Sequence, residues 1–218
     1  GTDKGLFRLE DGRLVRADAR DGIPPLSVNA LLEDREGRIL AAGTGFLVLK
    51  KDGHEFFPVR KGRSGDTVSV IEQDREGGIW IGSVEGLRWL PKGVRGNPYN
   101  ETPVLSDVRI SEIHQAGGVV WIGTRGSGLL RWQDGKMVRL AAPAGLPHNN
   151  VLTVLGDSEG SVWVGTQAGL TRISPSAART VRVPDGDVES IPTVYADPAG
   201  RMLAAGVSGR LFNVKGNH

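Results

Sequence analysis

The sequence predicts an all-β fold, a β-propeller of four-stranded antiparallel blades, on three observations. One phrase recurs along the whole 218-residue chain, clearest as Asp74-Arg75-Glu76-Gly77-Gly78-Ile79-Trp80-Ile81-Gly82, and its large apolar anchors Leu40, Trp80, Trp121, Trp163 and Leu203 are spaced by 40, 41, 42 and 40 residues. Each copy reads as a turn feeding a short buried strand. An Asp opens the turn, a Gly three residues on supplies backbone freedom, and an apolar run ends at another Gly. Gly is abundant, at 32 residues, and only 6% of residues are aromatic, which suits many turns and short strands better than helices. A repeat of this length cannot bury both faces of a four-stranded sheet alone, so it must stack on copies of itself.

Taken in order, residues 1–22 supply only the second half of a repeat. Leu6 to Leu9 and Arg13 to Arg16 flank Asp11-Gly12, a pair that tolerates the positive φ of a type I′ hairpin turn. The same device recurs at Asp52-Gly53 and Asp134-Gly135. With the strands of a blade named A to D from the inside outward, these hairpins join C to D. Complete blades are expected at about 27–65, 66–106, 107–148 and 149–186, and an incomplete one with strands A, B and C at 187–218. The whole chain then reads as one propeller segment of about five and a half repeats of 40–42 residues, part of a larger ring.

Strand A carries apolar residues six and three positions before the turn Asp: Val28 and Leu31, Val68 and Ile71, Val151 and Val154, Ile191 and Val194. All are expected to be buried between blades. Repeat 3 fits through Ile110 and Ile113 if Ala116 takes the Asp place and the A–B turn is one residue shorter. Trp80, Trp121 and Trp163 are expected to be buried on strand B. Pro91 to Pro103, rich in Gly, Pro and Asn, should be the longest loop or a poorly regular strand D. Gly1-Thr2 matches the tail of a Trp-Ile-Gly-Thr phrase, so the segment is expected to begin inside a repeat of a longer protein.

With 27 basic and 25 acidic residues interspersed, the chain shows no basic run of the kind nucleic acid requires, and no nucleic-acid partner is expected. The absence of Cys removes disulfides, thiol nucleophiles and Cys-ligated metals. No apolar run approaches the roughly 20 residues of a spanning helix.

The phrases Asn29 to Gly37, Gly77 to Gly82 and Gly145 to Thr166 resemble the two-component regulator propeller repeat, and so do the tails Gly5 to Leu9, Gly128 to Trp132 and Gly169 to Ile173. Repeats 1 and 5 depart from it with Leu-Ala-Ala-Gly, and repeat 3 lacks the Asp. The resemblance implies the extracytoplasmic, periplasmic sensor region of a membrane-bound signalling protein whose output is a histidine kinase or a diguanylate cyclase. Several relatives recognise oligosaccharides. It therefore implies, as partners, a small molecule or oligosaccharide and the rest of the parent polypeptide, with a homodimer formed through the parent.

The repeated Asp34, Asp74, Asp157 and Asp197 share one context, which fits turn capping; a catalytic pair needs two carboxylates in different environments. No catalytic residue, metal or cofactor is expected. His54, His114, His148 and His218 form no close ligand cluster in sequence. Gly123 to Gly128 joins two strands and lacks the Gly-Lys-Ser/Thr of a phosphate loop. Asn100-Glu101-Thr102 matches a short glycosylation signal that arises often by chance.

The candidate ligand-binding residues are the polar positions at and just before strand A: Ser27 and Asn29, Thr67 and Ser69, Arg109 and Ser111, Asn150, and Ser190. Glu112, a carboxylate in a column otherwise holding Ala30, Val70, Thr153 and Thr193, and His148 in the D–A loop join them. Small hydroxyls and amides repeated at one height could bond sugar hydroxyls, or simply wet a channel mouth. A streptogramin-lyase-like enzyme, with a metal near Glu112, His114 and His148, and a protein-docking platform are the alternative functions.

Overall fold

Each repeat becomes one sheet in which consecutive strands are neighbours. In this computed structural model the described residues are 1–17, 27–44, 46–50, 54–58, 66–93, 103–174, 177–181, 190–198 and 201–214, with backbone only at 46–50, 54–58 and 177–180. The Asp52-Gly53 hairpin turn, the loop from 94 to 102 with its glycosylation match, and His218 lie outside them.

The first sheet is the hairpin β1 (Leu6–Glu10) and β2 (Arg13–Ala17). Four strands follow in order, β3 (Val28–Glu33), β4 (Ile39–Gly43), β5 (Phe46–Lys50) and β6 (His54–Pro58). The next sheet holds β7 (Val68–Gln73), β8 (Ile79–Ser83), β9 (Gly86–Leu90) and a two-residue β10 (Leu105–Ser106) that lies beyond the Pro91 to Pro103 stretch. Then come β11 (Ile110–Ala116) to β14 (Lys136–Leu140) through β12 (Val119–Thr124) and β13 (Leu129–Gln133). The fourth complete sheet holds β15 (Val151–Gly156), β16 (Val162–Thr166), β17 (Gly169–Ser174) and β18 (Ala177–Val181). The last has three strands, β19 (Thr193–Ala196), β20 (Met202–Ala205) and β21 (Leu211–Val214). The only helical element among the described residues is one 3-10 turn at Ala142–Ala144. The chain divides into two compact units, Gly1–Ile110 and Ser111–His218.

Where it is present, the turn Asp is the hub of its A–B corner. Asp157 Oδ1 accepts the backbone N–H groups of Glu159 (3.0 Å) and Ser161 (2.8 Å), and its Oδ2 accepts Trp163 Nε1–H at 2.8 Å. Asp74 does the same with Glu76 and Gly78, and takes Trp89 Nε1–H at 2.7 Å. Asp34 and Asp197 replace the indole by Arg38 Nε (2.5 Å) and Arg201 Nε (2.6 Å). Gly160, with φ of 81°, closes the corner in the left-handed region that a side chain disfavours. The Gly that ends strand B has a different cause: a Cβ on Gly165 would lie 2.5 Å from Ile191 O and 2.7 Å from Thr153 Cγ2. Strand A of the next sheet packs against that bare backbone.

Burial follows the predicted columns with two corrections. Val68, Ile71, Ile110, Ile113, Val151, Val154, Ile191 and Val194 are buried. Ile71 joins Leu40 and Ala42 of the preceding sheet's strand B, and Val194 joins Trp163 likewise. Leu31, expected to be buried, is 46% exposed, because the preceding sheet is β1–β2 and presents no strand B to it. Trp80 and Trp163 are buried at 5% and 2%, but Trp121, expected to match them, is only half-buried. Repeat 3 has no turn carboxylate to hold its corner closed.

Candidate functional site

The start of strand A is irregular in the same way in three sheets. The ladder with strand B slips between Val28 and Ala30, between Val68 and Val70, and between Val151 and Thr153. A bulge leaves one residue out of register and re-aims its side chain. Asn29 and Ser69, two of the candidates, are the extra residues in the first two; in the third it is the apolar Leu152.

Within Gly1–Ile110, Ser27 Oγ donates to Asn29 Oδ1 at 2.8 Å, and the exposed Asn29 donates through Nδ2 to Val68 O at 3.4 Å. Thr67 meets the hydroxyl of Thr44, at the end of β4, at 3.2 Å. Ser69 is half-buried and Arg109 is exposed.

Within Ser111–His218, Ser111 Oγ donates to Val151 O at 2.7 Å. Glu112 Oε1 accepts its neighbour Ile113 N–H at 3.2 Å. His148 Nδ1 accepts Asn150 N–H at 2.9 Å, and Asn150 Nδ2 donates to Gln167 Oε1 at 2.6 Å. Ser190 accepts Val207 N–H on its carbonyl at 3.1 Å. Thr67 and Asn150 carbonyls take the equivalent bonds from Val84 (3.1 Å) and Gln167 (3.0 Å). The residue after strand B thus reaches the residue that opens strand A, so the B–C turn shares this end of each blade.

That sharing brings in residues the sequence reading passed over. Thr44 and Gln167 lie in or beside B–C turns, and the available signal was topological: an antiparallel strand B must end where strand A begins. The geometry also shows that the polar column has internal work. Ser111 and Asn29 both bond the backbone of the next strand A, tying successive sheets together.

Two ionisable groups lie further along strand A. Burial pushes the His114 imidazole below its ordinary 6.5, and its Nε2 accepts Gly156 N–H at 2.8 Å, so the ring is held neutral. Burial pushes the Glu72 carboxyl above its ordinary 4.5. At the turn, burial pushes Asp34 up, yet the N–H groups of Arg38 and Glu36 and the Arg38 guanidinium outweigh it and hold the carboxyl low. Among the described residues, no three His, Asp or Glu side chains gather as metal ligands.

Repeated four-stranded antiparallel sheets, with strand-B anchors Leu40, Trp80 and Trp163 buried, define a β-propeller, and its solved relatives agree. The extracellular domain of the hybrid two-component system BT4673 from B. thetaiotaomicron is similar over 97% of this chain and 30% of that one, with a TM-score of 0.70 and 17% identity. Virginiamycin B lyase from Staphylococcus aureus is similar over 86% of this chain and 69% of that one, with a TM-score of 0.64 and 12% identity. Residues 62–85 and 145–168 match the two component regulator propeller family. Histidine kinase P4 of Formosa agariphila is 31% identical over a stretch covering 49% of this chain. The chain spans 9% of that kinase and 30% of the BT4673 domain.

Proposed function

We propose that this propeller segment is a ligand-sensing module of a membrane-bound signalling protein, with no catalytic role of its own. It binds a small molecule or oligosaccharide at the end of the blades where strands A begin. The observation that carries this is the repeated bulge at that end, which sets Asn29 and Ser69 out of the ladder beside Ser27 and Thr67. In the second unit the Asn150–Gln167 amide pair, Glu112 and His148 supply the same mix of donors and acceptors. Such groups match sugar hydroxyls, which both donate and accept. The likeness to an extracellular domain and to a histidine kinase supports a periplasmic segment that is continuous along 1–218 and acts with, and dimerises through, a larger polypeptide.

Calorimetric titration with a panel of oligosaccharides tests this reading. Arg109→Ala, Glu112→Gln and Asn150→Ala should weaken binding about tenfold or more, as expected for lost hydrogen bonds to a ligand. Their melting temperatures should stay close to that of the parent. A bound ligand whose contacts all fall on the A–B corners, around Asp34 and Asp157, would overturn the choice of end.

A lyase-like activity would need a converging His and Glu set. His114 instead spends Nε2 on Gly156 N–H, and His148 spends Nδ1 on Asn150 N–H.

A further inference from the structure

Where strand B of one repeat gives way to strand A of the next, the two units differ. In the first, Thr44, directly after the Gly that ends strand B, bridges Thr67 at the opening of the next strand A. In the second, the bridging residue is Arg125, one position further on, and it faces Asn150. Turn length causes the shift. Thr124 Oγ1 donates to Gly128 O at 2.7 Å, four residues on, whereas Thr166 and Ser83 close their B–C turns on Gly169 O (2.9 Å) and Gly86 O (3.3 Å), three residues on. The extra residue lets the N–H groups of Gly126 and Gly128 both bond Asn149 O, at 3.2 and 2.9 Å. Asn149 Oδ1 in turn accepts Ala142 N–H at 2.8 Å, and Arg139 Nε donates to Ser127 O at 2.6 Å. Turn and D–A loop are thereby locked together.

Asn150 is the hub of this end. Its N–H is accepted by His148 Nδ1, so the neutral ring carries its proton on Nε2 and can donate it. Its side-chain amide pairs with the Gln167 amide at 2.6 Å, and each amide keeps a second polar atom, Asn150 Oδ1 to accept and Gln167 Nε2 to donate. Residues paired across an antiparallel bridge direct their side chains to one face, which puts Arg125 beside Asn150. Arg125 and Gln167 are exposed, and among the described residues no carboxylate pairs with the Arg125 guanidinium. Donors therefore outnumber acceptors here, and one donor is a full positive charge.

We propose, on the reading that the strand-A end of the blades holds the ligand, that Arg125, His148, Asn150 and Gln167 form an anion subsite and that the ligand is an acidic oligosaccharide. A uronate carboxylate sits in the Arg125 fork, whose planar guanidinium bonds both carboxylate oxygens at once. His148 Nε2–H and Gln167 Nε2–H donate to oxygens of the same sugar residue, and Asn150 Oδ1 accepts one of its hydroxyls. Because turn and loop are locked before any ligand arrives, little ordering cost opposes binding.

The test titrates the whole chain calorimetrically with oligosaccharides of galacturonic, glucuronic and mannuronic acid, their methyl esters, and neutral and sulfated oligosaccharides of equal length. At least one uronate should bind, and its methyl ester should bind at least about tenfold more weakly, because the charge-assisted paired contact is lost. Arg125→Gln should weaken the acid by about the same factor, leave the ester unchanged and remove the salt dependence of binding. Its melting temperature should match the parent's, since the side chain is exposed. Failure of every uronate, equal binding of acid and ester, or an acid whose affinity ignores Arg125→Gln would overturn the proposal. Tighter binding of a sulfated oligosaccharide than of any uronate would overturn it too. A neutral oligosaccharide weakened by Asn150→Ala but not by Arg125→Gln would overturn the anion subsite and leave the ligand-sensing reading standing.

Discussion

From Ser111 on, repeats 3 and 4 lie in one compact unit and differ in their A–B corners. In repeat 4, Asp157 gathers two backbone N–H groups and the Trp163 indole, and Trp163 is 2% exposed. In repeat 3 the Asp place is Ala116, the strands run straight into a Gly117-Gly118 turn with φ of 59° and 80°, and Trp121 is half-buried. Arg131 lies over the Trp121 ring at 6.0 Å, as Arg172 lies over Trp163 at 5.4 Å. The Arg partner is therefore common to both, and the carboxylate is what differs. In repeat 4 the corner Asp links local turn chemistry to core packing by anchoring the Trp163 indole N–H, whereas in repeat 2 Asp74 takes the Trp89 indole instead and Trp80 is buried without that bond.

The largest expected effect separates the two tryptophans. Trp163→Ala should cost about 3–5 kcal/mol, as large aromatic truncations in a packed core do. Trp121→Ala should cost about 1–2 kcal/mol, since a half-exposed ring removes less apolar surface from water. Urea denaturation of both variants measures the gap. Equal losses would show that the exposure of Trp121 has no energetic meaning.

Next in size is the carboxylate itself. Asp157→Ala strands Ser161 N–H and the Trp163 indole, and should cost about 1–3 kcal/mol. Asp157→Asn should recover part of this, because an amide oxygen can still accept the backbone N–H groups. If Asn were as damaging as Ala, the negative charge rather than the bonding geometry would be the stabilising feature.

A smaller effect should appear with pH on strand A of repeat 3. His114 has its pKa lowered by burial, so the unfolded chain binds the proton first as pH falls. Its neutral-state stability is fully present above the ordinary value of 6.5 and is lost progressively below it, until the folded protein also takes up the proton. Removing the imidazole with His114→Gln should flatten melting temperature against pH in the window just below 6.5. A wild-type profile flat across that window would mean that the ring is freely hydrated.

Most of the architecture was legible because its signals are local and repeated. Turn Asp, turn Gly and strand-B anchor recur at fixed offsets, and the one-residue-shorter corner of repeat 3 follows from Ile110 and Ile113 keeping the apolar spacing. Leu31 was misread because its burial depends on a neighbouring strand B, which no residue near Leu31 encodes. Trp121 was misread because a missing carboxylate was counted as a weaker match rather than as a lost indole partner. At the candidate site the residue types were visible, but the bulge at Asn29 and Ser69 was not, since a register slip of one residue leaves no mark in a polar stretch. Gln167 was passed over because its approach to Asn150 is set by strand pairing, 17 residues away in sequence.

The smallest expected effect sharpens the comparison most. If the turn carboxylate stabilises only through the geometry of its corner, supplying the carboxylate without the corner should do nothing. Ala116→Asp places an Asp where the phrase wants one, but repeat 3 has one residue fewer between that place and its Trp: five positions separate Ala116 from Trp121, and six separate Asp157 from Trp163. The Gly117-Gly118 turn therefore cannot present the two N–H groups that Asp157 receives from Glu159 and Ser161. Ala116→Asp alone should change stability by no more than about 0.5 kcal/mol, the range of ordinary surface substitutions. Ala116→Asp combined with one residue inserted after Gly117 should restore the longer corner, bury Trp121 and blue-shift its fluorescence. A single substitution that stabilised as much as the combined change would show that charge at this corner matters more than its length, and the contrast between repeats 3 and 4 would need a different cause.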